Sequence, residues 1–595
     1  MKKMLLGLLC ITSSIAPSFA NIAAGANALL NHIDPNMPIG ISVYDLTTGN
    51  ILYRKNAQEL FTPASNMKLF SDASALMALG PDYHFLNQLS TNSARIEHGT
   101  LEGNLYLTLS GDPSFSHQRL QKLFASLSTW HIQRIHGNII IDSTHANVTP
   151  SAPGWDPHDS IYSYGAPLGP VMVDANRLNI TVNPGNQNNT PAVIEVHDPS
   201  HTITVDNAVR TQQSDRCGVS FSLDKNNHLT ARGCIRPGQW AIQQGMAIHN
   251  PLLYAQGVIR QTLSQEHITL EGSILLGNTP KGALLVANDH SKSIAHLLAD
   301  TLKPSDNLYA DSLFLHAAAK LNGSPVNWDK AQPIIKQFLQ QQTGIDMRNA
   351  VLVDGSGLSR FDRVTPSQTV DLLRFLHDKF PLAYEYIAAL PVSGRDGTLA
   401  KRLKKEQEQD LVRAKTGTLT GVSSLSGYLY TSNGHTLTFA IFLNRGHTKK
   451  AKYLGPYSPV LDALCAYFLK QTPHSAIWSG IFPARSRLSY QAHQTQAQLQ
   501  RQAQARWRQL EITLKQGLKD QNITILYRGK ELVIEDHQTD PSLVLHALEK
   551  IAQKQSFAAL LRSSTQPNRS GEKPIIVWDN SISQGKREWI IREAV

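Results

Sequence analysis

Between residues 40 and 56 apolar and polar side chains alternate on both sides of Thr48-Gly49-Asn50, which predicts a β-hairpin. Directly after it, Leu69, Phe70, Ala73, Leu76 and Met77 recur at helical spacing behind Thr62-Pro63, predicting a helix that starts there. From about 86 to 275 the pattern changes to short strands broken by Asn, Gly, Pro and Thr, which reads as mainly β insertions. Helical spacing returns from about 284, with Ile294, Ala295, Leu297 and Leu298. Residues 411–445 then read as successive antiparallel strands, including Thr438-Phe439-Ala440-Ile441-Phe442-Leu443, and a helix is expected near 456–470. The pattern predicts an α+β fold, an antiparallel sheet flanked by helices and split in sequence by the insertions.

The tail has a different texture. Residues 485–519 carry Arg485, Arg487, Arg501, Arg506, Arg508, Lys515 and Lys519 against the single acid Glu511, and read as an exposed basic helix. Beyond it, 523–527 and 531–534 read as a hairpin, 541–562 as a helix, and 574–578 and 588–591 as strands of a small α+β appendix. A chain of 595 residues is too long for one core and predicts three to five domains.

Met1-Lys2-Lys3, an apolar run from Met4 to Ile11 and Pro17-Ser18-Phe19-Ala20 form the pattern of a secretory signal cleaved after Ala20. The run is too short to span a membrane, and Leu9 before Cys10 argues against a lipid anchor. The mature chain is therefore expected to be soluble, exported and periplasmic. Losing Lys2 and Lys3 lowers the formal charge from +10 to +8, which favours anionic polymers. For an exported protein this points to cell-wall or membrane surfaces through the basic C-terminal region rather than to nucleic acid. Cys217 and Cys234, seventeen positions apart in a polar stretch, are expected to pair in an oxidising compartment, and Cys465 to be a buried small hydrophobe. The 23 histidines are scattered without His-Glu-x-x-His or paired Cys-x-x-Cys spacing, so no metal and no cofactor are expected.

Three strings carry chemistry: Ser65-Asn66-Met67-Lys68, Ser305-Asp306-Asn307 and Lys415-Thr416-Gly417. Alone, each reads as a helix start, a turn or a strand end; in this order they form the Ser-x-x-Lys, Ser-Asp-Asn and Lys-Thr-Gly set. A serine hydroxyl needs an adjacent base, and three residues along a helix puts Lys68 on the same face as Ser65. Lysine acts as a base when burial or a second positive charge disfavours its ammonium form, and Lys415 is expected to be that charge. Lys415, with the hydroxyls of Thr416 and Thr418, suits a terminal carboxylate, and Gly417 is expected to leave room for a substrate backbone. Ser305 supplies a hydroxyl for proton relay, and Asn307 an amide for Lys68 or the substrate.

The wider set of strings resembles the class C low-molecular-weight penicillin-binding proteins, the D-alanyl-D-alanine carboxypeptidase/endopeptidases. It comprises Thr62-Pro63-Ala64-Ser65-Asn66 with Lys68-Leu69-Phe70, Gly80-Pro81-Asp82-Tyr83, Ser305 to Ala310, Asp354-Gly355-Ser356-Gly357-Leu358-Ser359-Arg360, Ser393 to Leu399 and Lys415 to Leu419. These cover roughly residues 21 to 480, and the long gap between the first two motifs separates the chain from class A β-lactamases. The resemblance implies a penicillin-binding/β-lactamase-like transpeptidase domain over 21–85 and 284–482, holding inserted domain II (86–165 and 231–283) and inserted domain III (166–230). A linker (483–520) and a C-terminal domain (521–595) lie outside it.

It further implies a serine peptidase that acts on peptidoglycan stem peptides and cross-bridges through an acyl-enzyme on Ser65. β-Lactams would act as covalent inhibitors, and the backbone N–H groups of Ser65 and Thr418 would hold the oxyanion. Relatives use an acid of an inserted domain to receive a side-chain amine of the substrate. Here the matching stretch is Gly154-Trp155-Asp156-Pro157-His158-Asp159. Asp159 is favoured for its spacing from Trp155, with Tyr164 expected to cover the aliphatic side chain of the substrate, and Asp156 stays open as the alternative. Two other readings remain at this point, a β-lactamase-like hydrolase and a non-catalytic wall-binding scaffold.

Overall fold

The computed structural model describes residues 19–33, 38–144, 151–445 and 458–470, and in the tail the strands 523–528, 531–536, 576–579 and 587–592. The chain divides into two compact units, 1–475 and 476–595.

The first unit is organised by a five-stranded sheet in the order Val412–Leu419, Val422–Tyr430, Thr436–Asn444, Ile39–Asp45, Asn50–Lys55. All neighbours are antiparallel, and Ile41 faces Ile441, so the N-terminal hairpin is zipped onto a strand four hundred residues later. Alternation sorts the side chains. Phe439, Ile441 and Leu443 join a core with helices Phe19–Ile33 and Ser458–Lys470 on one face. Ala440 and Phe442 join helices Met67–Leu79, Asn307–Asn322 and Pro366–Asp378 on the other. Both faces are covered, so these strands read as continuous apolar runs rather than strict alternation. Cys465 lies fully buried in the first of these cores, where burial pushes its thiol pKa up.

Local signals explain the helix ends around the site. Asp306 caps Asn307–Asn322 by accepting from Tyr309 N, and that helix stops at Gly323 in the left-handed conformation. Thr365 and Gln368 form a reciprocal capping box with Pro366 at the first position of the next helix.

Between the motif helix and helix Ile294–Leu302 the chain forms four further sheets, of three to five strands, around a separate apolar core. Three of the sequence expectations change here. Residues 284–290 form a strand that pairs antiparallel with Leu86–Thr91, so helix begins only at Ile294. Leu284 and Leu285 lie about half exposed on this edge strand, which is why an apolar pair there did not signal a helix interior. The boundary expected at 230 falls inside strand His228–Ile235. Ile242–Ala247 then returns to pair with Arg177–Asn183, carrying that insertion's hydrogen bonding to Ala247. Two helices, His117–Ala125 and Pro251–Gln265, also sit in the region read as mainly β. The second had a legible start, since Asn250 caps it and Pro251 opens it. Cys217 and Cys234 are disulfide-bonded, with Cα atoms 4.9 Å apart.

In the second unit Ile523–Arg528, Glu531–Asp536, Arg587–Arg592 and Ile576–Asp579 make a four-stranded antiparallel sheet in that order. The helices expected over 485–519 and 541–562 fall outside the described residues, as does most of the expected signal segment. Helix Phe19–Ile33 begins just before the expected cleavage point. Among the described residues no helix is long and apolar enough to cross a membrane.

Candidate active site

Ser65 does not sit in the first α-helical turn, as its spacing suggested. Ala64 adopts a left-handed φ of +48°, so a 3₁₀ turn over Ala64–Asn66 intervenes and the α-helix starts at Met67. A left-handed alanine is strained by about 1–2 kcal/mol. The surroundings hold it: Gly357, itself at φ +78°, packs so close to the Ala64 carbonyl that no Cβ would fit.

Lys68 is fully buried one turn along. Its Nζ lies 3.1 Å from Ser65 Oγ, 2.6 Å from Asn307 Oδ1 and 2.7 Å from the Ser356 carbonyl. As an ammonium it donates to all three. As a neutral amine it keeps two N–H donors for Asn307 and Ser356 and aims its lone pair at the serine hydroxyl. Burial pulls its pKa below the ordinary lysine value, against the opposing pull of Asp311, Asp354, Asp306 and Asp72. Burial is thus the largest cause of the shift. Lys415 is itself fully buried and pulled well down, by burial first and by Lys68 second.

The other two motifs close around this pair. Ser305, at φ +65°, accepts from Lys415 Nζ at 2.8 Å, and Lys415 also donates to the Thr416 carbonyl at 2.8 Å. Thr416 Oγ1 donates to Thr398 Oγ1 at 2.7 Å, whereas Thr418 is exposed. Gly417 serves a purpose other than the one expected. A Cβ there would collide with Ser424 Oγ and sit 2.7 Å from the Pro63 carbonyl and 3.0 Å from Ser65 N, so its space is filled by the protein's own backbone. This close approach brings the N–H of Ser65 beside the strand that carries Thr418. Asn66 Nδ2 and the Ser424 hydroxyl staple the turn to the neighbouring strand Val422–Tyr430 through bonds of 2.7 Å to each other and 2.6 Å to the Pro63 carbonyl. Ser424 escaped sequence reasoning because only its register opposite Gly417 reveals it.

In the sequence Asp354 stands out only as the first residue of one of the strings that carry the resemblance. Its carboxylate accepts from Gly357 N, Ser359 N and Trp155 Nε1, which shapes the loop whose Ser356 carbonyl receives Lys68. Through Trp155 it also anchors the 154–159 segment. There Asp156 is spent capping a 3₁₀ turn, accepting from His158 N, while Asp159 accepts from the Tyr164 hydroxyl at 2.9 Å. Tyr164 stacks on Tyr162, and its hydroxyl pKa is raised by desolvation and by Asp159. The Tyr164 carbonyl accepts from Asn307 Nδ2 at 2.8 Å, so this loop borders the site. Among the described residues no group of three His, Cys, Asp or Glu side chains is placed to hold a metal ion.

Comparison with known proteins identifies the family. A family description, D-Ala-D-Ala carboxypeptidase 3 (S13), matches residues 26–454. The D-alanyl-D-alanine carboxypeptidase DacB of Haemophilus influenzae is 29% identical over 448 residues, 73% of this chain and 91% of the relative. A D-alanyl-D-alanine carboxypeptidase of Actinomadura sp. is 29% identical over 454 residues, 73% of this chain and 83% of the relative. The crystal structure of penicillin binding protein 4 (dacB) from Haemophilus influenzae superposes with a TM-score of 0.67 at 26% identity, covering 74% of this chain and 97% of that one. The same protein complexed with a β-lactam gives a TM-score of 0.64 at 26% identity, over 75% and 98% of the two chains. All three motifs lie within the matched span, and the chain thus belongs to the D-Ala-D-Ala carboxypeptidase 3 (S13) family, serine carboxypeptidases among the low-molecular-weight penicillin-binding proteins.

Proposed function

We propose that this is an exported, periplasmic D-Ala-D-Ala carboxypeptidase that also cleaves peptide cross-bridges of peptidoglycan, with Ser65 as its nucleophile. The observation that carries the reading is the buried Lys68 amine 3.1 Å from Ser65 Oγ with its other two bonds already taken by Asn307 and Ser356. In the neutral state it accepts the serine proton as Oγ attacks the carbonyl between the two D-alanines. The N–H groups of Ser65 and Thr418 receive the oxyanion. Lys415 and Ser305, in contact at 2.8 Å, return a proton to the leaving amine, and water then releases the acyl group from Ser65. The hydroxyls of Thr416 and Thr418 meet the terminal carboxylate, with the charge of Lys415 behind them.

A β-lactam presents a strained amide and a carboxylate in the same relation, so it acylates Ser65 and stays bound. Asp159, held by Tyr164, receives a free amine at the far end of the substrate side chain. The basic region beyond residue 482 attaches the enzyme to wall or membrane surfaces.

The test is Ser65→Ala: it should abolish covalent labelling by a fluorescent penicillin and lower peptidase turnover by several orders of magnitude. Full labelling of that variant would overturn the assignment. Mass analysis of the products from purified cross-linked muropeptides decides whether both bonds are cut.

A further inference from the structure

We propose that Arg177, supplied by the inserted region, is a positioning residue for the catalytic centre: its two-pronged grip on Asp306 holds Ser305 and Asn307 in working orientation and offsets the carboxylate charge beside Lys68. Arg177 opens a strand whose partners, Val193–His197 through Asn183 and Ile242–Ala247, all belong to the insertion. Its guanidinium leaves that sheet and donates to Asp306 Oδ2 at 2.7 Å and Oδ1 at 2.8 Å. The two side chains are 26% and 14% exposed, so the pair is largely shielded from water and salt.

The position of Asp306 makes this contact matter. Its neighbour Ser305 sits at a left-handed φ of +65° to reach Lys415, and its other neighbour Asn307 spans Lys68 and the Tyr164 carbonyl. Asp306 Oδ1 meanwhile caps the helix through Tyr309 N at 3.1 Å. Shifting the backbone at Asp306 would move both flanking residues, because they share its peptide planes.

The insertion is built to present Arg177. The three residues before it, Asp174, Ala175 and Asn176, all have left-handed φ values of +54°, +53° and +51°. Consecutive left-handed non-glycine residues are costly and persist only where the surroundings over-determine them. Here they do. Asp174 accepts from His117 N at 3.0 Å and from the Tyr254 hydroxyl at 2.7 Å, and the fully buried Asn176 donates to the carbonyls of Pro167 and Val171. The chain is thereby turned out of this anchored knot directly into Arg177.

Charge adds a second consequence, which rests on the reading of Lys68 as the base for Ser65. Lys68 is faced by Asp72 on its own helix, Asp306 and Asp311 at the start of helix Asn307–Asn322, Asp354 on the turn and Lys415 on the strand. An Asp306 carboxylate without Arg177 stabilises the ammonium form, so the base appears only at higher pH. Removing the Asp306 charge while Arg177 stays does the reverse.

The experiment follows the second-order acylation rate by a fluorescent penicillin against pH, on the full chain and on Arg177→Gln, Arg177→Lys and Asp306→Asn. We expect Arg177→Gln to acylate about tenfold or more slowly near neutrality, with its acid limb about one pH unit higher. Asp306→Asn should lose rate as well, yet move the limb to lower pH. Arg177→Lys keeps the charge without the fork, so it should restore the limb and not the full rate. The inference is overturned if the limbs of Arg177→Gln and Asp306→Asn coincide with that of the unaltered enzyme, if those two limbs move the same way, or if the Arg177→Gln rate equals that of the unaltered enzyme. If Arg177→Gln does not fold, a lowered limb in Asp306→Asn beside an unmoved limb and a reduced rate in Arg177→Lys still decides it. Absence of acylation in the unaltered enzyme would instead sink the reading of Ser65 and Lys68.

Discussion

The side-chain amide of Asn307 donates to the backbone carbonyl of Tyr164 at 2.8 Å while its oxygen takes the Lys68 amine at 2.6 Å. A residue of the second motif thus joins the proposed base to the loop that presents Asp159. The proposed sites of side-chain recognition and bond cleavage are separated by a single amide.

Asp159→Ala should lower kcat/KM about ten- to a hundredfold for peptides with a free side-chain amine, an ammonium–carboxylate contact being worth ~1.5–3 kcal/mol. N-acetylated analogues should be little changed. Tyr164→Phe should show a smaller loss with the same selectivity, since it only releases Asp159. Equal losses on both substrates would mean general damage, and no loss on either would move the role to Asp156.

Gly417→Ala should block acylation while leaving the Ser65 hydroxyl and the Lys68 amine chemically intact. The added methyl meets Ser424 Oγ and the Pro63 carbonyl, so it must push the Ser65 turn off the strand. Overpacking of this kind costs about 1–3 kcal/mol, and the melting temperature should fall accordingly. Penicillin labelling at the unaltered rate would show that the two backbones can part freely.

Lys68→Arg preserves a positive charge in the pocket but cannot surrender its proton in the working range. Acylation should fall at least a thousandfold at every pH from 5 to 10. In the unaltered enzyme the acid limb should lie below the ordinary lysine value, because burial lowers the Lys68 pKa. A limb at or above that value would contradict the geometry.

Asp72 supplies a stability test with a definite sign. It is fully buried, neither of its oxygens has a hydrogen-bond partner among the described residues, and desolvation holds its pKa well above the ordinary value. The folded state therefore keeps a proton that the unfolded chain releases. Stability from this group is full below the unfolded carboxylate pKa and declines as pH rises toward the folded value, by up to about 1.4 kcal/mol per pH unit. Asp72→Asn lacks that decline. Its melting temperature relative to the unaltered chain should climb from about pH 4 upward; a difference flat in pH would mean Asp72 is ionised in the fold.

A chain ending at residue 482 should keep its activity on a small D-Ala-D-Ala peptide. It should lose the salt-sensitive part of its sedimentation with peptidoglycan sacculi, as exposed cationic contacts are screened by salt. Equal sedimentation of the two chains would leave the tail without that role.

Local order along the chain was enough to reveal the hairpin at 40–56, the three closing strands, the helix at 458–470 and the three motifs. Alternation, helical spacing and cap residues all act over a few positions, and the Ser65–Lys68 relation is one helical step. The cause of the Lys68 shift, the tenant of the space at Gly417, the left-handed turn at Ala64 and the grip of Arg177 on Asp306 were not legible in this way. Each arises where segments distant in sequence are pressed together: 63–66 against 417 and 424, and 177 against 306. Desolvation and steric exclusion depend on what lies across the gap, and that is settled only when the insertions fold and the N-terminal hairpin pairs with the last strand of the sheet.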